Sequence, residues 1–279
     1  MISRRREAAV IRVLVYSGTI LTLAILVGVV GYILIKGIPN LSLDLFEWKY
    51  TTDNVSLLPA LINTILMTFL SLLLAAPLGI FAAVYLAEYQ KKGSRLVKWV
   101  RITAETLSGI PSIIYGLFGM LFFVTALGLR MSLISGALTL SIMILPLIMR
   151  TTEEALIAVP VEYREGSFGL GAGRLRTVFK VVMPSAVPGI MAGIILSVGR
   201  IVGETAALIY TAGTVAEVPE SLFDSTRTLS VHMYSLASEG FYTQQAYATA
   251  VILLLIVLGI NVLSAYAARR IAGRAYGKD

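Results

Sequence analysis

The feature that most constrains this chain is a run of 23 uncharged, mostly apolar residues at positions 13–35. As an α-helix this run is about 34 Å long, which is enough to cross the hydrocarbon core of a membrane. Five more apolar segments follow, at positions 59–87, 102–127, 131–149, 185–210 and 246–268. The sequence therefore predicts an all-α, polytopic membrane protein with six transmembrane helices.

Composition agrees with this fold class and excludes several others. Hydrophobic residues make up 57% of the chain and charged residues 14%, whereas an average soluble protein is about one quarter charged. An ordinary soluble enzyme, a disordered protein and a nucleic-acid binder of the basic-patch kind are therefore excluded. The chain has no cysteine, so a disulfide, a thiolate nucleophile and a cysteine metal site are excluded as well.

Lysines and arginines lie mainly on one side of the predicted spans. Eighteen of the 23 fall in the N-terminal tail, the 88–101 segment, the loop between the fourth and fifth spans, and the C-terminal tail. Because such an excess marks the cytoplasmic face, both termini are predicted to be cytoplasmic. Arg4, Arg5 and Arg6 are interpreted as topological signals rather than as a lipid-binding site, and the first apolar run is too long for a signal peptide.

The loop between the fourth and fifth spans, at about 151–184, has a pattern of its own. Pro160 can open a helix at Val161. Gly169, Gly171 and Gly173 then break the helix, and a second short helix is predicted at 174–182. Two short helices tethered to membrane spans can form a lever on which another protein pushes, or a hairpin that merely caps the bundle.

This loop resembles the EAA loop of ABC importer permeases, whose pattern is E-A-A, three residues, G, nine residues and I-x-L-P. Glu165, Gly166 and Ser167 occupy the first three positions, Gly171 the glycine position and Pro184 the last position. Gly and Ser replace the two alanines, and Val and Met replace the two aliphatic residues. The resemblance implies a type I ABC importer permease fold with a cytoplasmic coupling helix that inserts into a groove of an ATPase subunit.

Nucleotide binding by this chain is not expected. The Walker A pattern G-x-x-x-x-G-K-[ST] does not occur, and the glycine-rich stretch at 169–174 lacks its Lys-Ser/Thr end. The sequence thus predicts a transport subunit without catalytic residues and without a bound cofactor or metal. The resemblance implies that ATP and Mg²⁺ bind to a separate ATPase chain.

The fifth span carries two ionisable residues, Arg200 and Glu204, four positions apart on one helix face. Charges inside a membrane helix are costly and often mark a transport pathway. In one interpretation the two side chains pair and only fix helix packing. In the other, they form a permeation site for an oxyanion together with Thr205 and Ser112, because an arginine offers a fork of donors.

Three stretches are similar to the phosphate-specific (Pst) permeases: 105–116, 200–206 and 227–234, of which the last favours the A-type subunit. The similarity covers about residues 60–268, within a permease core predicted at 59–279. Residues 1–58 are expected to hold the N-terminal tail, the first span and an external linker. The resemblance implies the prokaryotic plasma membrane, a C-type second permease, two ATPase subunits and an extracytoplasmic phosphate-binding protein.

Other functions remain open on the sequence alone. A permease of the same build could carry molybdate or sulfate, and a transporter or signalling subunit could work without ATP. His232, the only histidine, is interpreted as a surface or packing residue rather than a metal ligand. Four acidic residues of the same external segment are expected to face solvent: Glu217, Glu220, Asp224 and Glu239.

Overall fold

A computed structural model describes residues 2–90 and 94–275 of the chain. Lys91, Lys92 and Lys278, which the topology prediction counts, lie outside these ranges. The described residues form helices and loops, without strands. The eleven helices are α1 Ile2–Gly37, α2 Leu58–Val84, α3 Arg95–Ser108, α4 Ser112–Gly119, α5 Leu133–Ile157, α6 Val161–Gly169, α7 Arg174–Thr177, α8 Met183–Val202, α9 Ala206–Thr211, α10 Leu229–Glu239 and α11 Thr243–Ala275.

Five helical segments are each long and apolar enough to cross a membrane, counted over the described residues. They are Val10–Asn40, Leu58–Tyr89, Leu133–Ile157, Arg174–Val202 and Thr243–Leu263. Short π-helical turns extend α2 to Tyr89, α4 to Ala126 and α7 to Val182. The predicted all-α membrane fold is confirmed.

The predicted third span, 102–127, is wrong as a single helix. The chain bends by 99° between α3 and α4, so the apolar stretch is either a broken span or a re-entrant loop. The bend falls at 109–111, because the residue before a proline avoids helical geometry and Pro111 has no N–H for the helix ladder. Pro111 then becomes the N-cap of α4.

The predicted fifth span, 185–210, is also interrupted. Helix α8 ends at Val202, residues 203–205 leave the helix, and the short α9 follows. Gly203 forms the C-cap of α8, and Thr205 precedes α9 with a non-helical φ of −124°. Both segments that the sequence places in the pathway are therefore broken helices.

The core lies where α2, α5, α8 and α9 meet, around the buried side chains of Met67, Leu140, Ile144, Ile201 and Leu208. A second apolar cluster lies nearer the loop at about 151–184, which is called the coupling loop below. This cluster includes buried residues of α5, α8 and the end of α2. Helix α1 packs only near its end against α11, where the Tyr32 and Tyr247 rings meet at 5.8 Å. Most of its apolar surface is exposed, as expected of a helix that contacts lipid.

The segment between α9 and α11, predicted to be external, folds back onto the bundle. The Asn63 side chain on α2 donates hydrogen bonds to the carbonyl oxygens of Glu217 at 2.9 Å and Arg227 at 3.2 Å. The Thr64 hydroxyl accepts the N–H of Leu229 at 2.8 Å. The four acidic residues predicted to face solvent are exposed, as expected.

His232, on α10, is a packing residue. Its ring is fully buried and meets the Tyr50 ring edge-on at 6.1 Å between centroids. Burial, assisted by the positive charge of Arg227, lowers the pKa of His232 from 6.5 to about 3. The imidazole is therefore neutral at physiological pH, consistent with the prediction that it packs.

Candidate translocation site and coupling loop

The two short helices that follow the breaks, α4 and α9, lie in direct contact. A Cβ atom at Gly116 would be 2.7 Å from Ala207 Cα, and one at Gly119 would be 2.7 Å from Thr211 Cγ2. Glycine at both positions lets the helices touch. Because the paired residue numbers rise together, the two helices run in the same direction.

This register brings the two helix breaks to the same level of the bundle. Ser112, the first residue of α4, is half-buried, and it lies four positions before Gly116. The break at 203–205 lies at about the same offset before Ala207. Thr205 is also half-buried, and no hydrogen bond joins it to Ser112 among the described residues.

Glu204 is buried and binds the start of α9. Its Oε1 atom accepts the N–H of Ala207 at 3.0 Å, while its carbonyl oxygen accepts the Ser230 hydroxyl at 2.5 Å. A carboxylate at the N-terminus of a helix satisfies a free amide and complements the helix dipole. Glu204 therefore holds the geometry of the break.

Arg200 and Glu204 do not form the ion pair that their spacing would allow. Among the described residues, Arg200 has no acidic partner within 4.0 Å and no hydrogen bond. The pair fails because α8 ends between the two residues, and the carboxylate is taken by the α9 amide. The Arg200 guanidinium is half-buried and close enough to Tyr115 to interact with it electrostatically.

The first arm of the coupling loop agrees with the sequence prediction, but the second short helix predicted at 174–182 is not a separate helix, because it continues into α8 as one helical segment, Arg174–Val202. Helix α6 begins at Val161 after Pro160, buries none of its residues, and exposes both Glu165 and Gly166. The turn passes through Gly171 with a φ of +82°, and α7 begins at Arg174. A Cβ at Gly171 would meet no heavy atom within 4 Å, so the constraint at this position is the backbone angle and not a steric clash.

Two further positions of the loop motif, Ser167 and Pro184, have identifiable structural surroundings. Ser167 joins the two short helices through a hydrogen bond of 2.8 Å between its hydroxyl and that of Thr177. Pro184 is the second residue of α8 and directly follows the π-helical turn at Val178–Val182, so the helix ladder changes its register just before the residue that lacks an N–H. Large apolar side chains of the loop are exposed, among them Val161, Phe168, Leu170 and Leu175.

Sequence reasoning missed several charged groups that the fold buries, among them Glu88, Arg227 and Glu153 of α5. Glu88, at the end of α2, pairs with Arg164 of α6 at 2.6 Å. Arg227, counted only as an external positive charge, is 5% exposed and stacks on the Tyr50 ring at 4.6 Å. The partners are far apart in sequence, so no local spacing indicates either contact.

A bundle of broken apolar helices with an exposed, glycine-hinged loop is the architecture of a membrane permease. The chain belongs to the family described as binding-protein-dependent transport system inner membrane component, which it matches over residues 75–273. It is therefore a multi-pass membrane transport subunit of the ABC transporter class.

The names of individual similar proteins are more specific than the family description. The chain is 36% identical over 232 residues to a probable ABC transporter permease, YqgI, of Bacillus subtilis, covering 78% of this chain and 79% of the relative. It is 36% identical to the phosphate transport system permease PstA of Pasteurella multocida, covering 82% of each. The Haemophilus influenzae PstA is 32% identical, with 89% of each covered.

Solved structures agree on the fold. A bacterial alginate ABC transporter in complex with an alginate-bound periplasmic protein aligns with a TM-score of 0.61 at 18% identity, covering 92% of this chain and 96% of that chain. The inward-facing MetNI methionine ABC transporter aligns with a TM-score of 0.59 at 21% identity, covering 77% and 94%. At these identities the likeness shows the type I importer permease fold alone.

Proposed function

We propose that this chain is the A-type membrane subunit of an ATP-driven phosphate importer. The observation that carries the proposal is Arg200, a half-buried guanidinium beside two helix breaks, without an acidic partner among the described residues. An unpaired cation inside a membrane protein is costly unless a ligand or water compensates it. The identity to permeases named PstA supports phosphate as that ligand.

Arg200 and Glu204 have separate roles in this proposal. The guanidinium offsets the desolvation of the anion, since its planar donors match two oxyanion oxygens. Glu204 uses Oε1 to hold α9, while Oε2 has no hydrogen bond within the described residues. Phosphate near neutral pH carries a proton and can therefore donate a hydrogen bond to Oε2. Sulfate has no proton to donate, so it leaves Oε2 without this hydrogen bond.

The remaining parts of the transporter follow from the family resemblance. The chain pairs with a C-type permease, and the two bind a pair of ATPase subunits that hold ATP and Mg²⁺. A phosphate-binding protein delivers the anion from outside, and both termini face the cytoplasm. Glu165, Gly166, Ser167, Gly171 and Pro184 form the segment that contacts the ATPase, which fits the exposed apolar side chains of the loop.

Reconstitution of the complete complex into proteoliposomes tests this function. Phosphate-loaded binding protein should stimulate ATP hydrolysis and drive phosphate into the vesicles, whereas sulfate and molybdate should do neither. Stimulation by one of those anions instead would move the assignment to another oxyanion. Uptake that continues without ATP would refute the ATP-driven mechanism.

A further inference from the structure

Arg164, on the exposed coupling helix α6, makes contacts that lead away from the ATPase-facing surface. Its Nη2 atom lies 2.6 Å from Glu88 Oε1 and donates to the Leu156 carbonyl oxygen at 2.8 Å. Its Nη1 atom donates to the Val159 carbonyl oxygen at 2.8 Å. One guanidinium therefore joins α6 to the end of α5 and to the end of α2.

Glu88 is the anchor of this contact. It lies in the π-helical turn that ends α2, and its side chain is 9% exposed, against 19% for Arg164. A partly desolvated, multidentate ion pair is held far more firmly than a surface pair. The pair also bridges residues 76 positions apart in the chain.

A second arginine attaches the other arm of the loop to the same point. Arg174, which begins α7 after the glycine turn, donates from Nη2 to the Glu88 carbonyl oxygen. Its guanidinium also lies 5.1 Å from the centre of the Tyr89 ring. Both arms of the loop are thus fastened to residues 88–89, while α6 itself buries no residue.

We propose that Glu88, Arg164 and Arg174 form a latch that passes the movement of the coupling loop directly to the second span, α2. This inference rests on the proposed function, because it assumes that an ATPase moves the loop. Without the latch, force from α6 would reach the bundle through its chain connections to α5 and to α7–α8 and through the Ser167–Thr177 hydrogen bond, none of which leads directly to α2. With the latch, α2 moves together with the loop, and the core packed between α2 and α5 moves with it.

The chain supplies a matched control pair. Arg150 and Glu154 lie at the end of α5 with a 3.0 Å contact, but both belong to one helix and are 56% and 63% exposed. An exposed pair of this kind contributes little to stability. Removing it changes the same charges near the same surface without disconnecting two elements.

The test measures phosphate transported per ATP hydrolysed in proteoliposomes of the full complex. Glu88→Gln and Arg164→Gln should each lower this ratio about two- to thirty-fold, the range for residues that carry coupling between sites. The double variant should be no worse than the more affected single one, because the two residues act as a pair. Glu88→Asp should retain part of the ratio, and Arg150→Gln with Glu154→Gln should leave it unchanged.

A second measurement does not depend on the transported solute. The chain has no cysteine, so Gln90→Cys and Glu162→Cys can carry spin labels on either side of the latch. The label distance should stay fixed through ATP binding in the parent and should change in Glu88→Gln. A wild-type ratio in Glu88→Gln, additive effects in the double variant, or an unchanged label distance would each overturn the latch. Failure of phosphate transport in the parent, with the label result intact, would refute the proposed function alone.

Discussion

At the scale of single residues, the most informative observation is that Arg200 does not form an ion pair with Glu204. Had it paired with Glu204, the two charges would have neutralised each other, and a packing role would have been sufficient. Because Glu204 instead binds the Ala207 amide, replacing Arg200 leaves no orphaned carboxylate behind. A single substitution therefore separates the pathway interpretation from the packing interpretation.

We expect Arg200→Leu to lower phosphate uptake about ten-fold or more, since a hydrogen-bonded charge is worth roughly 1.5–3 kcal/mol. Arg200→Lys should retain part of the uptake, because it keeps the charge without the fork. Co-purification of the ATPase checks that the complex assembles. The matched control is Arg130→Gln, which changes an exposed external arginine. Normal uptake by an assembled Arg200→Leu complex would restrict Arg200 to packing.

His232 yields a prediction about pH. Its pKa is lower in the folded state, about 3, than the ordinary value of 6.5, so the unfolded chain binds the proton more readily. The stability that neutral His232 contributes is therefore complete above pH 6.5 and is lost as the pH falls toward 3. Between pH 7 and pH 5 the loss amounts to about 2 kcal/mol.

His232→Leu should remove this part of the pH dependence. Both ring nitrogens lack hydrogen-bond partners within the described residues, so an apolar side chain of similar size should cost little at pH 7. Unfolding midpoints in detergent at pH 7 and pH 5 provide the measurement. The carboxylates titrate in both proteins, so the difference between their slopes isolates His232. Parallel slopes would mean that the buried ring does not resist protonation.

At the scale of elements, the sequence predicted the coupling loop far better than the helix breaks. Pro160, Gly171 and the segment from Arg174 act locally, so their helix boundaries follow from backbone chemistry alone. The interruption at 203–205 has no proline, and the length of the apolar stretch 185–210 predicts a single span. What ends α8 there is the tertiary contact of α9 with α4 and the cap from Glu204, which no local pattern encodes.

The turn at Gly171 can be tested with one side chain placed at two positions. Gly171→Thr forces a β-branched residue to a φ of +82°, which costs roughly 1–2 kcal/mol, and should lower ATPase coupling. Gly173→Thr is the control, since Gly173 is the extended N-cap of α7, where threonine is accepted. Transport per ATP hydrolysed is the measurement. Equal ratios for the two variants would show that the turn geometry does not matter.

The contact between α4 and α9 can be tested in the same manner. Gly116→Ala places a Cβ 2.7 Å from the Ala207 Cα, so the two helices must separate. Overpacking of this kind typically costs about 1–3 kcal/mol, and we expect lower thermal stability together with lower uptake. At Gly109 the nearest atom to a new Cβ lies at 3.5 Å, so Gly109→Ala serves as the control. Equal stability of the two variants would contradict the close packing.

At the scale of the whole molecule, the six apolar segments and the sidedness of the charges follow from composition and spacing. The contacts that tie distant parts together do not. Glu88 and Arg164 are an unremarkable acid and base in the sequence, and only the packing of α2 against α5 brings them together. Arg227 likewise becomes buried because its segment folds back onto Asn63 of α2.

The orientation of the bundle is the last prediction, and the cysteine-free chain makes it direct to test. Ser94, just before α3, and Ser221, in the exposed external segment, should lie on opposite sides of the membrane, because the positive charges gather on the Ser94 side. In intact cells an impermeant maleimide should label Ser221→Cys at once and Ser94→Cys only after the membrane is opened. Ser71→Cys, fully buried in α2, should stay unlabelled in both conditions and so reports whether the bundle remains folded. Labelling of Ser94→Cys from outside would invert the topology, and with it the assignment of the coupling loop to the cytoplasm.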